Sequence, residues 1–201
     1  MDIDFAALIP FAFITTFSPG PNNVIATATS MRFGYRRTMP LLFGICCGFF
    51  GVFVLCMAIA FSLQRVIDRF GHVLSIVGAL YILWLAYHTY RASHEVPSQL
   101  SSLPGFVNGM LLQLMNPKVI IYGLTLFSTF LSDIPKQPLT FVLVPMLFAL
   151  LSLASTTTWA LAGTSIARFM RIRATMRIVN ATCALLLVLI AIDLSGVRSL
   201  F

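Results

Sequence analysis

Ser18-Pro19-Gly20-Pro21-Asn22-Asn23 sits in the middle of an apolar run, Phe5 to Met31, that is otherwise long enough to cross a bilayer as one helix. Proline has no backbone N–H and its ring clashes with the preceding turn. The glycine between the two prolines adds backbone freedom. The reading is two half-helices, Phe5 to Phe17 and Asn22 to Met31. Hydrocarbon does not tolerate unpaired amides and carbonyls, so such a break must face protein or a wet cavity. A second interruption, Asn116-Pro117-Lys118, falls in the run Pro104 to Ser132, with Pro117 placed 96 positions after Pro21.

The rest of the chain explains why these runs read as membrane spans. Of 201 residues, 59% are hydrophobic and only 9% charged, against about 25% charged in an ordinary soluble domain. Mean hydropathy is +0.95. A water-soluble globule and a disordered chain are both excluded. With charges as punctuation, six apolar stretches emerge: Phe5–Met31, Thr38–Gln64, Phe70–Tyr90, Pro104–Ser132, Leu139–Ala167 and Ile178–Val197. They are continuous rather than alternating, which favours helices over barrel strands. The first is preceded by Asp2 and Asp4 and is too long for a secretory leader, so it reads as a span. The expected fold is an all-α integral membrane protein of six transmembrane helices, one domain over residues 1–201. The polar linker Ala92–Leu103 divides it into halves of about 1–95 and 100–201.

The formal net charge is +7. The basic residues form small clusters between apolar runs rather than one face or tail, so nucleic acid is not the expected partner; the lipid bilayer is. Arg32, Arg36, Arg37, Arg91, Arg168, Arg171, Arg173 and Arg177 all fall in alternate links. The positive-inside rule puts those links in the cytoplasm and both termini outside. The run Arg168–Arg177 also suits anionic head groups. The four cysteines, Cys46, Cys47, Cys56 and Cys183, lie in apolar runs without a C-x-x-C spacing, so they read as packing residues and not as a metal or disulfide framework.

Each half holds three spans, an odd number, so the halves oppose each other in the membrane. Helices one and four, both broken at proline motifs, then occupy matching places of a 3+3 inverted repeat. Such paired interruptions are the best sequence pointer to the midplane site of a transporter. The candidate binding residues are Pro19, Gly20, Pro21, Asn22, Asn23, Asn116, Pro117 and Lys118. A lysine near a span centre costs about 3 kcal/mol or more on insertion scales, so it needs a polar cavity or a structural partner. The half-helix starting near Asn22 offers free amides and a positive dipole end to a carboxylate. Exposed carbonyls from Thr16 to Ser18 would receive an ammonium group. Together these groups suit a zwitterion.

Tyr81 and Trp84 share a helix face with His88 and are candidates to line the cavity. Tyr87, His88 and Tyr90 fit an interfacial aromatic belt. Gly44-x-x-x-Gly48 permits close helix approach, either inside the chain or across a homodimer. Thr156, Thr157 and Thr158 suit hydrogen bonds within their own helix or to another span. No Asp or Glu lies near a span centre, so no carboxylate proton relay is legible. A tyrosine, a histidine, Lys118 or the substrate itself would have to carry protons. No nucleophile stands beside a base, so an enzyme is disfavoured, and no metal or cofactor is called for. A thiol–disulfide carrier using the adjacent Cys46 and Cys47 is a distant alternative.

Ser18–Asn23, followed by Arg32-Phe33-Gly34-Tyr35-Arg36-Arg37, resembles the signature of the LysE/RhtB family of amino-acid exporters, and Asn116-Pro117-Lys118 resembles that family's second motif. The resemblance covers essentially the whole chain. Ile121-Tyr122-Gly123-Leu124-Thr125, Ser128-Thr129-Phe130 and Trp159-Ala160-Leu161-Ala162-Gly163 look most like the cysteine/O-acetylserine efflux proteins. The resemblance implies a bacterial inner-membrane exporter of small neutral amino acids or their derivatives. It implies a proton-gradient drive, while the paired breaks point to alternating access and the arginine-rich links to periplasmic termini. Export of homoserine, threonine or leucine is the alternative within the same family.

Overall fold

The computed structural model describes residues 3–62, 76, 79–84, 86, 87, 90, 102–165 and seven helical residues between 181 and 192. The described residues are helices and short connections, with no strand. The helices are α1 (Phe5–Phe17), α2 (Pro21–Phe33), α3 (Tyr35–Ser62), α4 (Phe106–Leu114), α5 (Pro117–Thr125, continued by a π-helical turn Leu126–Phe130) and α6 (Pro138–Ser165). Among the described residues, α3 and α6 are each long and apolar enough to cross a membrane, and α4 with α5 makes a third if the bent pair counts as one span. Most of the third and sixth apolar runs, the linker after Tyr90 and the basic run Arg168–Arg177 lie outside the described residues.

Local chemistry sets the ends. Asp4 caps α1 by accepting from the amides of Ala6 and Ala7 at 3.0 and 3.1 Å. Gly34 turns the chain from α2 into α3 at φ +84°, a left-handed backbone that favours glycine. The helix after that corner starts at Tyr35, ahead of the expected Thr38, so Arg36 and Arg37 lie in its first turn. Charge was a poor boundary marker there, because arginine forms helix well and extends its head from a helix end to the interface. Between α4 and α5 the axis bends by 58°. Pro117 cannot donate to the carbonyl of Gln113, which instead accepts from the amide of Asn116 at 3.2 Å.

α3 is the central helix. Its Gly44 and Gly48 face α4, and Gly109 of α4 faces back onto α3. A Cβ on Gly48 would meet the Met110 carbonyl oxygen at 2.6 Å, and one on Gly44 would collide with the Phe106 carbonyl. The G-x-x-x-G motif therefore serves packing within the chain. Lipid tails are as apolar as leucine, so association rests on close packing and hydrogen bonds rather than on expelling water. The α2–α6 contact uses the same devices: the hydroxyls of Thr27 and Ser30 donate to the carbonyls of Trp159 and Ala160 at 3.2 and 2.7 Å, and Gly163 lies against Thr27. Thr156 and Thr158 donate to carbonyls of their own helix.

Below this polar layer, Tyr122 of α5 is ringed by the edges of Phe11, Phe49, Phe53 and Phe148, with centroids 5.2–6.3 Å away. Edge-to-face pairs of this kind fix ring orientation. Outward, α6 exposes Leu143, Leu147 and Leu150, each more than half accessible. A helix apolar on its outer face as well as its inner one is built for a hydrocarbon surround.

Candidate functional site

Where α1 stops, its last carbonyls lose their helical donors. Pro19 and Pro21 have no N–H to offer Thr15 and Phe17. The structure supplies a substitute for each. Thr15 O accepts from Ser18 Oγ at 3.0 Å. Thr16 O accepts from Asn23 Nδ2 and Ser155 Oγ, both at 3.0 Å. Phe17 O accepts from Trp159 Nε1 at 3.0 Å. Ser18 O accepts from Asn23 Nδ2 at 2.9 Å and from Lys118 Nζ at 3.1 Å. The donors come from α2, α5 and α6, so three other helices hold the end of α1.

Lys118 also donates to Ser18 Oγ at 2.8 Å. Its ammonium thus rests at the C-terminal, negative end of the α1 dipole, where a cation is stabilised. Gly20 lets the ammonium pass close to the backbone, since a Cβ there would lie 3.0 Å from Lys118 Nζ and displace the lysine head slightly. The expectation that the carbonyls of Thr16–Ser18 stand open for an ammonium is corrected by this geometry. They are occupied by protein donors, because the chain must satisfy its own backbone before any ligand arrives.

The α2 and α5 starts meet at Asn22. Its Oδ1 accepts from Gln113 Nε2 and Asn116 Nδ2, both at 3.0 Å, and its Nδ2 donates to Gln113 Oε1 at 2.9 Å. Gln113 is fully buried. Asn116 caps α5 by accepting from the Lys118 amide at 3.1 Å. The start of α2, by contrast, has Gly20 at its cap and no side chain bonded to its first amides. Its first turn is therefore the positive end of an uncapped helix dipole.

These groups surround a small cleft with a cavity volume of about 20 Å³, lined by Gly20, Pro21, Asn22, Asn23, Asn116 and Lys118 from the two interruptions, with Thr15, Thr16, Phe49, Val119, Tyr122 and Ser152 making up the remaining wall. The sequence-predicted residues Gly20, Pro21, Asn22, Asn23, Asn116 and Lys118 therefore come together from positions almost a hundred residues apart. Pro19 is buried and Pro117 exposed, and neither is on the wall. Tyr81 and Trp84 are not on it either. Tyr81 is buried behind α5, donating to the Lys118 carbonyl at 3.2 Å, and Trp84 stacks on it and is 44% exposed. Tyr81 thus contacts the backbone of α5 at Lys118. Cys46 and Cys47 are free thiols, one half-buried against the Ala149 carbonyl and the other exposed, on diverging sides of α3.

Sequence reasoning missed Gln113, Ser155 and Trp159. Gln113 carried a signal, being an uncharged polar residue three positions before Asn116 inside an apolar run. Replacing Gln113 with Leu would strip Asn22 of two of its three hydrogen bonds. The expected result is a loss of about 1–3 kcal/mol, read as a lower melting temperature of the purified protein.

The family described as LysE type translocator matches residues 13–196. A cysteine/O-acetylserine efflux protein of Salmonella choleraesuis is 38% identical over 189 residues, covering 93% of this chain and 95% of that protein. One from Escherichia coli K12 is 35% identical over the same length, with the same coverage of both chains. One from Klebsiella pneumoniae is 35% identical over 158 residues, 79% of this chain and 81% of that protein. No solved structure matches the chain significantly. A membrane-type helical fold, the two proline motifs meeting at one cleft, and a family match across nearly the whole length lead to one conclusion: the chain belongs to the LysE type translocator family.

Proposed function

We propose that this protein exports small neutral amino acids or derivatives, of the cysteine and O-acetylserine kind, across the bacterial inner membrane by alternating access. The observation that carries the reading is the Lys118 ammonium held on Ser18 beside the uncapped start of α2, both on the wall of one cleft. A zwitterion has one partner for each end there. Its carboxylate takes the α2 amides and draws Lys118 toward it. Its ammonium takes the place Lys118 vacates on Ser18 O and Oγ, so one cation replaces another and no carbonyl is left bare. This exchange is possible because a charge-assisted hydrogen bond given up is matched by one gained.

The family resemblance and the two matching interruptions support six spans in a 3+3 inverted repeat, helices one and four broken at Pro19–Pro21 and Pro117, with the halves rocking about the cleft. The arginine-rich links support a cytoplasmic placement for those links and periplasmic termini. The names of the relatives favour cysteine and O-acetylserine over homoserine, threonine or leucine.

The test is efflux from cells preloaded with labelled cysteine, O-acetylserine, homoserine, threonine and leucine. Overproduction should speed the loss of the first two and leave leucine at the vector rate. Faster loss of leucine, homoserine or threonine alone would replace the substrate class. Unchanged rates for all five would overturn the exporter reading.

A further inference from the structure

Threonines inside helices ordinarily satisfy their hydroxyl by donating back to the carbonyl one turn earlier. Among the described residues Thr27, Thr38, Thr156 and Thr158 do so, to Asn23, Gly34, Ser152 and Ala154, at 2.8–3.0 Å, and Thr164 donates to Leu161 at 2.9 Å. Thr15 does not. Its side chain is completely buried, and among the described residues no group lies in hydrogen-bond reach of its Oγ1. An unpaired buried hydroxyl destabilises a fold, and inside hydrocarbon no bulk solvent compensates. Thr15 is also on the wall of the cleft, together with Phe49, Val119 and Tyr122. Thr29 is the one other described residue with a buried, unpartnered side-chain hydroxyl, and it is not on that wall.

We infer that Thr15 is a specificity residue whose hydroxyl bonds the polar γ-atom of the exported amino acid. Thr15 lies three residues before Ser18, about 4.5 Å along α1. A substrate whose ammonium sits on Ser18 extends its side chain over that distance, along a wall that also holds Phe49, Val119, Ser152 and the Thr16 hydroxyl, the last already bonded to Tyr122. A thiol, hydroxyl or ester oxygen at the γ position meets Thr15 Oγ1. A methyl group there leaves the hydroxyl unpaired, and discrimination of this kind exceeds what an apolar pocket achieves by shape alone. The inference rests on the exporter reading and adds to it the chemical feature by which the site selects.

The experiment compares export of O-acetylserine with export of 2-aminobutyrate, which carries a methyl group at the γ position, measured in the same cells so that protein level cancels. Thr15→Val should lower the O-acetylserine to 2-aminobutyrate ratio by about tenfold, while Thr15→Ser should keep it. Thr29→Val removes an equally buried, unpartnered hydroxyl away from the cleft and should leave the ratio unchanged. A Thr15→Val ratio equal to wild type would overturn the inference and leave the exporter reading standing. A wild-type protein that moves neither compound nor any other amino acid would overturn the exporter reading itself. Should Thr15→Val fail to reach the membrane, Thr15→Ala read against Thr15→Ser carries the same comparison.

Discussion

Lys118→Met should reach the membrane at wild-type level and export at the background rate. The substitution keeps an unbranched side chain of similar length and removes only the ammonium, so packing beside Gly20 survives. What is lost is two charge-assisted bonds to Ser18 and, with substrate present, the partner of the carboxylate. Bonds to charged groups contribute about 1.5–3 kcal/mol each, which corresponds to a 10- to 100-fold loss of transport per bond. Ser18 O keeps its bond from Asn23, so the α1 end is not stripped bare. Lys118→Arg should rescue little. A planar guanidinium needs more room than an ammonium, and the Lys118 head already lies so close to Gly20 that a single added carbon there would be 3.0 Å away. Efflux of labelled substrate, normalised to protein in isolated membranes, checks both variants. Near wild-type export by Lys118→Met would remove the ammonium from the mechanism.

The second large effect is structural. Gly44→Val should leave little folded protein in the membrane. The atoms that a Cβ at position 44 would strike belong to the α4 backbone at Phe106, which cannot rotate away as a side chain can. The reciprocal contact of Gly109 with Leu41 and Ile45 locks the same crossing from the other side. Overpacking typically costs about 1–3 kcal/mol and more where backbone must move. In a chain of this size that lowers the melting temperature by several degrees or prevents insertion. The damage should spread to the cleft, because Gly48, one turn along α3, lies against Gln113, which holds Asn22. Fluorescence-detected size exclusion of a tagged variant gives the readout. A monodisperse, wild-type profile would show that α3 and α4 can separate at no cost.

The residues that interrupt apolar runs were the legible part of the site. Gly20, Pro21, Asn22, Asn23, Asn116 and Lys118 stand out because each breaks a helix or puts a polar group into hydrocarbon, and both are visible without knowing the fold. Ser155 and Trp159 were not legible as ligands of the α1 carbonyls. Serine and tryptophan are ordinary in a span, and only the crossing of α6 over α1 turns them into donors. Tyr81 and Trp84 lie off this cleft for a different reason. Spacing puts Tyr81 and Trp84 on one face but does not say which neighbour that face meets, and Tyr81 meets the Lys118 carbonyl. The helix starts were blurred for a related reason: Arg36 and Arg37 looked like a boundary and are the first turn of α3. The open carbonyls expected at Thr16–Ser18 reflect a missing count of the chain's own donors.

The way α1 ends also bears on how the protein is made. Residues 5–33 leave the ribosome well before Lys118, Ser155 and Trp159 exist. The donors that complete the end of α1 are thus encoded 100 to 142 residues downstream of the carbonyls they serve. During synthesis the first interruption has no protein partners beyond Asn23 and Ser18, and α1 and α2 acquire their final geometry only when the later helices dock. A chain truncated before Trp159 should therefore carry an unfinished first hairpin, recognisable to membrane quality control as a nascent protein whose beginning waits for its end.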